Sequence, residues 1–97
     1  MMFRCYVADN PNTSVELLTK LSKDKGNYVR CSVAKNLNTS VEVLKELSKD
    51  ENDSVRYYVA KNPNTDLNIL LELSKDIEVE IQKVAKATRI NRIALLK

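Results

Sequence analysis

The sequence predicts an all-α protein built from two-helix units of about 26 residues, and three observations carry that prediction. The chain repeats itself: residues 1–26 and 27–52 agree at 15 positions, and residues 27–52 and 53–78 agree at 14. A 97-residue chain with one Gly lacks the turn residues that a sheet would need. Apolar residues recur at spacings of three and four, the period of a helix face rather than of a strand. The organisation is therefore a single repeat domain over residues 1–97. Its copies are 1–26, 27–52 and 53–78, and 79–97 is a degenerate fourth.

Each unit opens with a first helix, in which Val55, Tyr58, Val59 and Asn62 share one face. Asp50 is expected to cap its start. The segment "NPNT" ends it, because Pro63 disfavours a helical Asn62. Asn is expected to supply the left-handed conformation that Gly usually gives at a helix end. Thr65 then opens a second helix. In the first two copies Thr13 with Glu16, and Thr39 with Glu42, have the spacing of a capping box; Asn68 weakens it in the third. The stripes Val15–Leu18–Leu21, Val41–Leu44–Leu47 and Leu67–Leu70–Leu73 mark the buried side. Helices this short are marginal in water, so each unit must bury its apolar side against its neighbours. In the tail, Val84-Ala85-Lys86 aligns with Val59-Ala60-Lys61 after a one-residue deletion. Asn91 is expected to start a short last helix.

The unit "VRxxVAxNxNTxxxxLxxLSxD" resembles the leucine-rich repeat variant family, and beyond it the HEAT and armadillo arrays. Leu37 departs from the usual Pro of that pattern, and Gln82 from the Arg. The resemblance implies a short right-handed α-solenoid in which α and 3₁₀ helices alternate, and it implies no shared chemistry.

The residues themselves point away from catalysis. His is absent, which removes the commonest general base and metal ligand. One Gly leaves no phosphate-cradling loop. Cys5 and Cys31 occupy the same repeat position on successive first helices. Packed helices lie roughly 8–10 Å apart, whereas a disulfide needs Cα atoms about 4.4–6.8 Å apart. Two free thiols are expected, with no catalytic residue, metal or cofactor. The chain shows no apolar run of signal-peptide or membrane-helix length, so a cytoplasmic protein without membrane contact is expected.

Binding remains, with a protein as the expected partner. Invariant positions build the stack, so varied exposed positions are free for recognition. On the second helices these are Glu16, Thr19, Glu42, Lys45, Asn68 and Leu71. Tyr57 is expected to point away from the apolar stripe and join them, while Tyr6 and Tyr58 lie half-buried at its edge. Nucleic acid is the alternative partner. Residues 81–97 hold five basic residues and no acid, while residues 1–80 sum to −2, and Lys23, Lys49 and Lys75 recur at second-helix ends. A structural piece of a longer array is a third reading. Neither end carries a polar capping unit, so self-association through Phe3 and Val7, or through Ile93 and Leu96, is expected.

Arg4, Arg30 and Arg56 recur after the Val or Phe of the first helices, and Asp24, Asp50 and Asp76 recur at the start of the next first helix, six residues before Arg30, Arg56 and Gln82. Pairing within a unit would leave Arg4 over and set Asp76 against Gln82. Pairing each Arg with the Asp of the following unit leaves nobody over. That second scheme is expected: Arg4–Asp24, Arg30–Asp50 and Arg56–Asp76, a ladder that sets the stacking register.

Overall fold

The computed structural model describes residues 2–95, without the side chain of Met2; Leu96 and Lys97 lie outside them. Seven α-helices and no strand occur among the described residues. Longer and shorter helices alternate: α1 (Met2–Asp9), α2 (Val15–Leu21), α3 (Asn27–Lys35), α4 (Val41–Leu47), α5 (Asp53–Lys61), α6 (Leu67–Leu73) and α7 (Val79–Leu95). The longer helices pack in chain order, α1 on α3, α3 on α5 and α5 on α7. Each short helix lies between two of them, and α6 also runs along α7. The short elements are α-helical, so the α and 3₁₀ alternation implied by the family resemblance is absent here.

The caps differ from the expected ones. The short helices start at Ser14, Ser40 and Asp66, whose side-chain oxygens accept the N–H groups of Leu17, Val43 and Ile69 at 3.2, 3.2 and 2.9 Å. Asp66 thus gives the third copy the shortest cap contact. Glu16 and Glu42 are exposed and close no capping box. The threonines before these caps are buried and turned backwards. Thr13, Thr39 and Thr65 donate to the carbonyls of Val7, Val33 and Val59 at 2.5, 2.6 and 2.6 Å, closing the turn that ends the long helix. At the start of α5 the cap is Asn52, which accepts from Ser54 and Val55. Asp50 instead takes the N–H of Asn52 at 2.9 Å, in a turn just before the helix.

The asparagines are not left-handed either. No described residue has positive φ, and Asn36 and Asn62 end their helices extended, at φ −72 and −70. Their side chains do the work expected of their backbones. Asn36 Nδ2 donates to the carbonyls of Ala8 and Asn10 in the unit before, at 2.8 and 2.9 Å. Asn62 repeats this on Ala34 and Asn36, at 2.8 and 3.1 Å. Both are buried, and their Oδ1 atoms accept the N–H of the second residue on. A second Asn row lies outside the first: Asn38 reaches Pro11 and Thr13, and Asn64 reaches Leu37. Helix-end carbonyls that would otherwise face solvent or each other are thereby satisfied by the next unit.

Arginine makes a parallel row. Arg4, Arg30 and Arg56 each hold the Asp twenty residues ahead, with Nε at 2.6, 2.8 and 2.9 Å from Oδ2 and Nη2 on Oδ1. The within-unit direction is present too, through the main chain: Arg30 donates to the Asp24 carbonyl at 2.9 Å and Arg56 to that of Asp50 at 2.7 Å. Gln82 keeps only this contact, on Asp76 O at 2.5 Å.

One continuous core runs through the units. Leu18, Leu44 and Leu70 are fully buried, as are Val33, Val55 and Val59. Burial of each Leu contributes about 1.5–3 kcal/mol. Val15, Val41 and Leu67 are exposed, so the buried stripe of the short helices begins two residues later than expected, at Val43 and Ile69, in copies two and three. The tail is one 17-residue helix with no break at Asn91. It has neither the Pro nor the buried Asn that stops α5, and Ala87 and Arg89 there favour helix. Its burial follows the 26-residue step without a deletion: Ile81 and Ala85 answer Val55 and Val59, and Val84 is half-buried like Tyr58. Arg92 then reaches back to the carbonyls of Pro63 and Thr65. Those are the counterparts of the two carbonyls that Asn38 takes two units earlier.

Candidate interaction surface

The long helices show invariant residues to the core and varied residues to one side. Cys5, Tyr6 and Asp9 on α1 correspond to Cys31, Ser32 and Lys35 on α3 and to Tyr57, Tyr58 and Lys61 on α5. All of this row except Tyr57 and Lys61 borders a groove of about 540 Å³. Tyr6 and Asp9 close one end, Tyr28, Cys31 and Lys35 the middle, and Ser54 and Tyr58 the other. Its surface is mostly apolar, and Tyr28 stands 82% exposed at its rim.

Small side chains open the groove and aromatic ones wall it. Cys31 and Ser32 are buried at its floor. Burial pushes the Cys31 thiol above its ordinary value, which keeps it protonated and a poor nucleophile. Cys5 is half-buried, and both cysteines are free thiols. Tyr57 and Tyr58 meet edge to face, with ring centroids 5.4 Å apart. Lys35 lies over Tyr58 at 4.9 Å, across the unit boundary, and Lys61 lies over Tyr57 at 5.7 Å. A cation held over a ring face stiffens both groups. The groove can therefore accept an apolar side chain against the packed Tyr58 ring, with a cation and tyrosine hydroxyls at its margin.

The candidates read from the sequence lie elsewhere. Glu16, Glu42 and Asn68 are exposed in the first turns of α2, α4 and α6. Lys45 and Leu71 are exposed a turn later, and Thr19 is half-buried with its hydroxyl on the Val15 carbonyl of its own helix. Tyr57 packs against the core and Tyr58 instead of pointing away, and it lies outside the groove. Tyr6, expected half-buried, is 65% exposed. The groove was within reach of the same rule, that varied positions are free for recognition. Applied to the long helices, the changes Cys/Cys/Tyr, Tyr/Ser/Tyr and Asp/Lys/Lys mark it. Only the packing shows that these varied positions surround a concavity.

Among the basic residues, Lys23, Lys49 and Lys75 are exposed beyond the short helices, and Lys83 and Lys86 along α7. Arg92 is occupied by its two carbonyls. No described helix is long and apolar enough to cross a membrane. No protein-family model, no curated protein and no solved structure matches the chain.

Proposed function

We propose that this chain is a non-enzymatic binding scaffold, a short right-handed α-solenoid of the leucine-rich repeat variant kind, that holds a segment of a partner protein in the long-helix groove. One observation carries the reading: the groove crosses three units and is bordered by the positions that change from copy to copy. Residues that only build a stack have no reason to differ there, while the Arg, Asn, Thr and Leu positions stay constant. The fitting segment puts an apolar side chain between Tyr28, Cys31 and Tyr58 and an acidic group near Lys35. The Tyr58 ring, already held by Tyr57 and Lys35, suits such an anchor, because little of its freedom is lost on binding.

The test compares three baits in native cell extract, read by quantitative mass spectrometry: the wild type, Tyr28→Asp with Lys35→Glu, and Glu42→Lys with Leu71→Asp. All four altered side chains are exposed, so the fold should survive. A protein lost from the groove bait and kept by the short-helix bait supports the proposal. Loss from the short-helix bait alone would move recognition to the Glu16, Thr19, Glu42, Lys45, Asn68 and Leu71 surface. Equal capture by all three baits would refute the groove.

A further inference from the structure

Building on the groove as a partner site, we propose that the bound segment carries a lysine or arginine beyond its apolar anchor, and that this side chain is seated in a second hollow between α5 and α7. That hollow, of about 420 Å³, is lined by Asp53, Glu78 and Glu80 and by Tyr57, Tyr58 and Ile81. It shares Ser54 and Tyr58 with the groove, so the two meet across α5. A segment anchored beside Tyr28 and Cys31 and running on along the stack enters it next. Packed helices lie about 8–10 Å apart, and an extended chain rises about 3.3 Å per residue. The basic residue therefore falls about two or three positions from the apolar one.

Charge selects what the hollow takes. Asp53, Glu78 and Glu80 are exposed, and none of them forms an ion pair among the described residues. The nearby Arg56 guanidinium is already held by Asp76 and by the Asp50 carbonyl. Lys61 lies over Tyr57 at 5.7 Å, so a second cation is drawn by the carboxylates and not by that ring. No three described Cys, Asp or Glu side chains are grouped to hold a metal ion, and the cation that fits is an organic one. Helix dipoles account for acid at a helix start, but not for the apolar residues on either side of Glu78. Ile77 is 87% exposed and Val79 57%. The same positions hold Glu51 and Asp53 one unit earlier, and Lys25 and Asn27 two units earlier. A Lys or Arg side chain matches this mixture, with an apolar stem to cover Ile77 or Val79 and a charged head for the carboxylates.

The test is selection from a random peptide library displayed on phage, against the wild type and the Tyr28→Asp with Lys35→Glu bait. Peptides enriched by the wild type alone should carry Lys or Arg about two or three positions from an apolar residue. Fluorescence polarisation then measures the strongest of them on Glu78→Lys with Glu80→Lys, whose helical circular dichroism should be unchanged because both sites are exposed. Binding should fall at least about tenfold. The same peptide with Glu in place of its basic residue should recover most of that loss on the variant, and bind the wild type poorly. Groove-dependent peptides without a basic residue, undiminished binding to the variant, or a loss that the Glu peptide does not recover would each overturn this proposal and leave the groove reading standing. No peptide preferring the wild type to the Tyr28→Asp with Lys35→Glu bait would overturn both.

Discussion

Arg30 and Asp50, twenty residues apart, face each other in a two-point contact, Nε to Oδ2 at 2.8 Å and Nη2 to Oδ1 at 3.1 Å. Each side chain retains 11% of its exposure. The same guanidinium also holds the Asp24 carbonyl. Two consecutive units therefore meet at one side chain, through a carboxylate and a main-chain carbonyl, which a Lys could not do with a single point charge.

Asp50→Asn should destabilise the protein by about 2–3 kcal/mol, somewhat below the figure of about 3–5 for breaking a fully buried pair. Asp24→Asn should cost less, because its partner Arg4 is far more open to water. Urea titration of both variants checks the order. Acid should expose the same pairs. Asp24 lies below the usual carboxylate range because Arg4 and the Gly26 N–H bond its charged form. For Asp50, burial pushes upward, but Arg30 and the Asn52 N–H outweigh it. A depressed folded value means stability that is present above the unfolded value of about 4 and lost as pH falls through the folded one. The urea midpoint should fall below about pH 4, and the fall should be smaller in the Asp50→Asn variant.

Asn62→Ala should cost about 2–4 kcal/mol. It leaves the Ala34 and Asn36 carbonyls and the Asn64 N–H without their partner in a buried turn. Asn10→Ala, at the matching position of the first unit, removes only an exposed contact to Asn12 N–H and should cost under about 1 kcal/mol. Equal losses would show that the asparagines act within their own turns and not between units.

The Arg–Asp row was legible because counting alone decides it: three arginines and three aspartates match without remainder in one direction only. The helices were legible because apolar spacing is a local property. What each turn residue does was not. Thr and Asn have the same local options in any helix–turn–helix sequence, and only a neighbouring unit decides which carbonyl they meet. Thr39 therefore read as a cap, while the structure uses Ser40 for the cap and turns Thr39 back on Val33. The continuity of α7 could have been read from the missing Pro and Asn. The positions around the groove were within reach of the copy-to-copy changes, but its depth was not, since that comes from Ser32 and Cys31 lying between larger residues of two other helices.

Leu37→Pro should stabilise the protein by about 0.4–1 kcal/mol. Leu37 occupies the place of Pro11 and Pro63 and is 60% exposed. Asn36 before it is already extended, at ψ 131, close to the 122 of Asn62 before Pro63, as a residue preceding Pro requires. The Leu37 N–H makes no backbone hydrogen bond among the described residues, and its carbonyl remains available to Asn64. The gain comes from fewer conformations in the unfolded chain, so it should appear as a higher urea midpoint with an unchanged slope.

Arg92→Ala should loosen the last two turns of α7 without unfolding the rest. The guanidinium fork spans the Pro63 and Thr65 carbonyls, which two separate amides or one bidentate side chain could satisfy but an ammonium could not match in shape. Past Ala85 no residue of α7 is fully buried, so apolar packing alone holds that stretch weakly. Its opening free energy should accordingly lie well below the global one. Amide hydrogen exchange should show faster exchange from about residue 88 onward in Arg92→Ala, with protection at Val55, Val59 and Leu70 retained. Arg92→Lys should resemble Arg92→Ala more than the wild type. If instead both variants keep wild-type protection near the end of α7, the Arg92 contact does not hold the helix, and the α6–α7 packing alone closes this end of the stack.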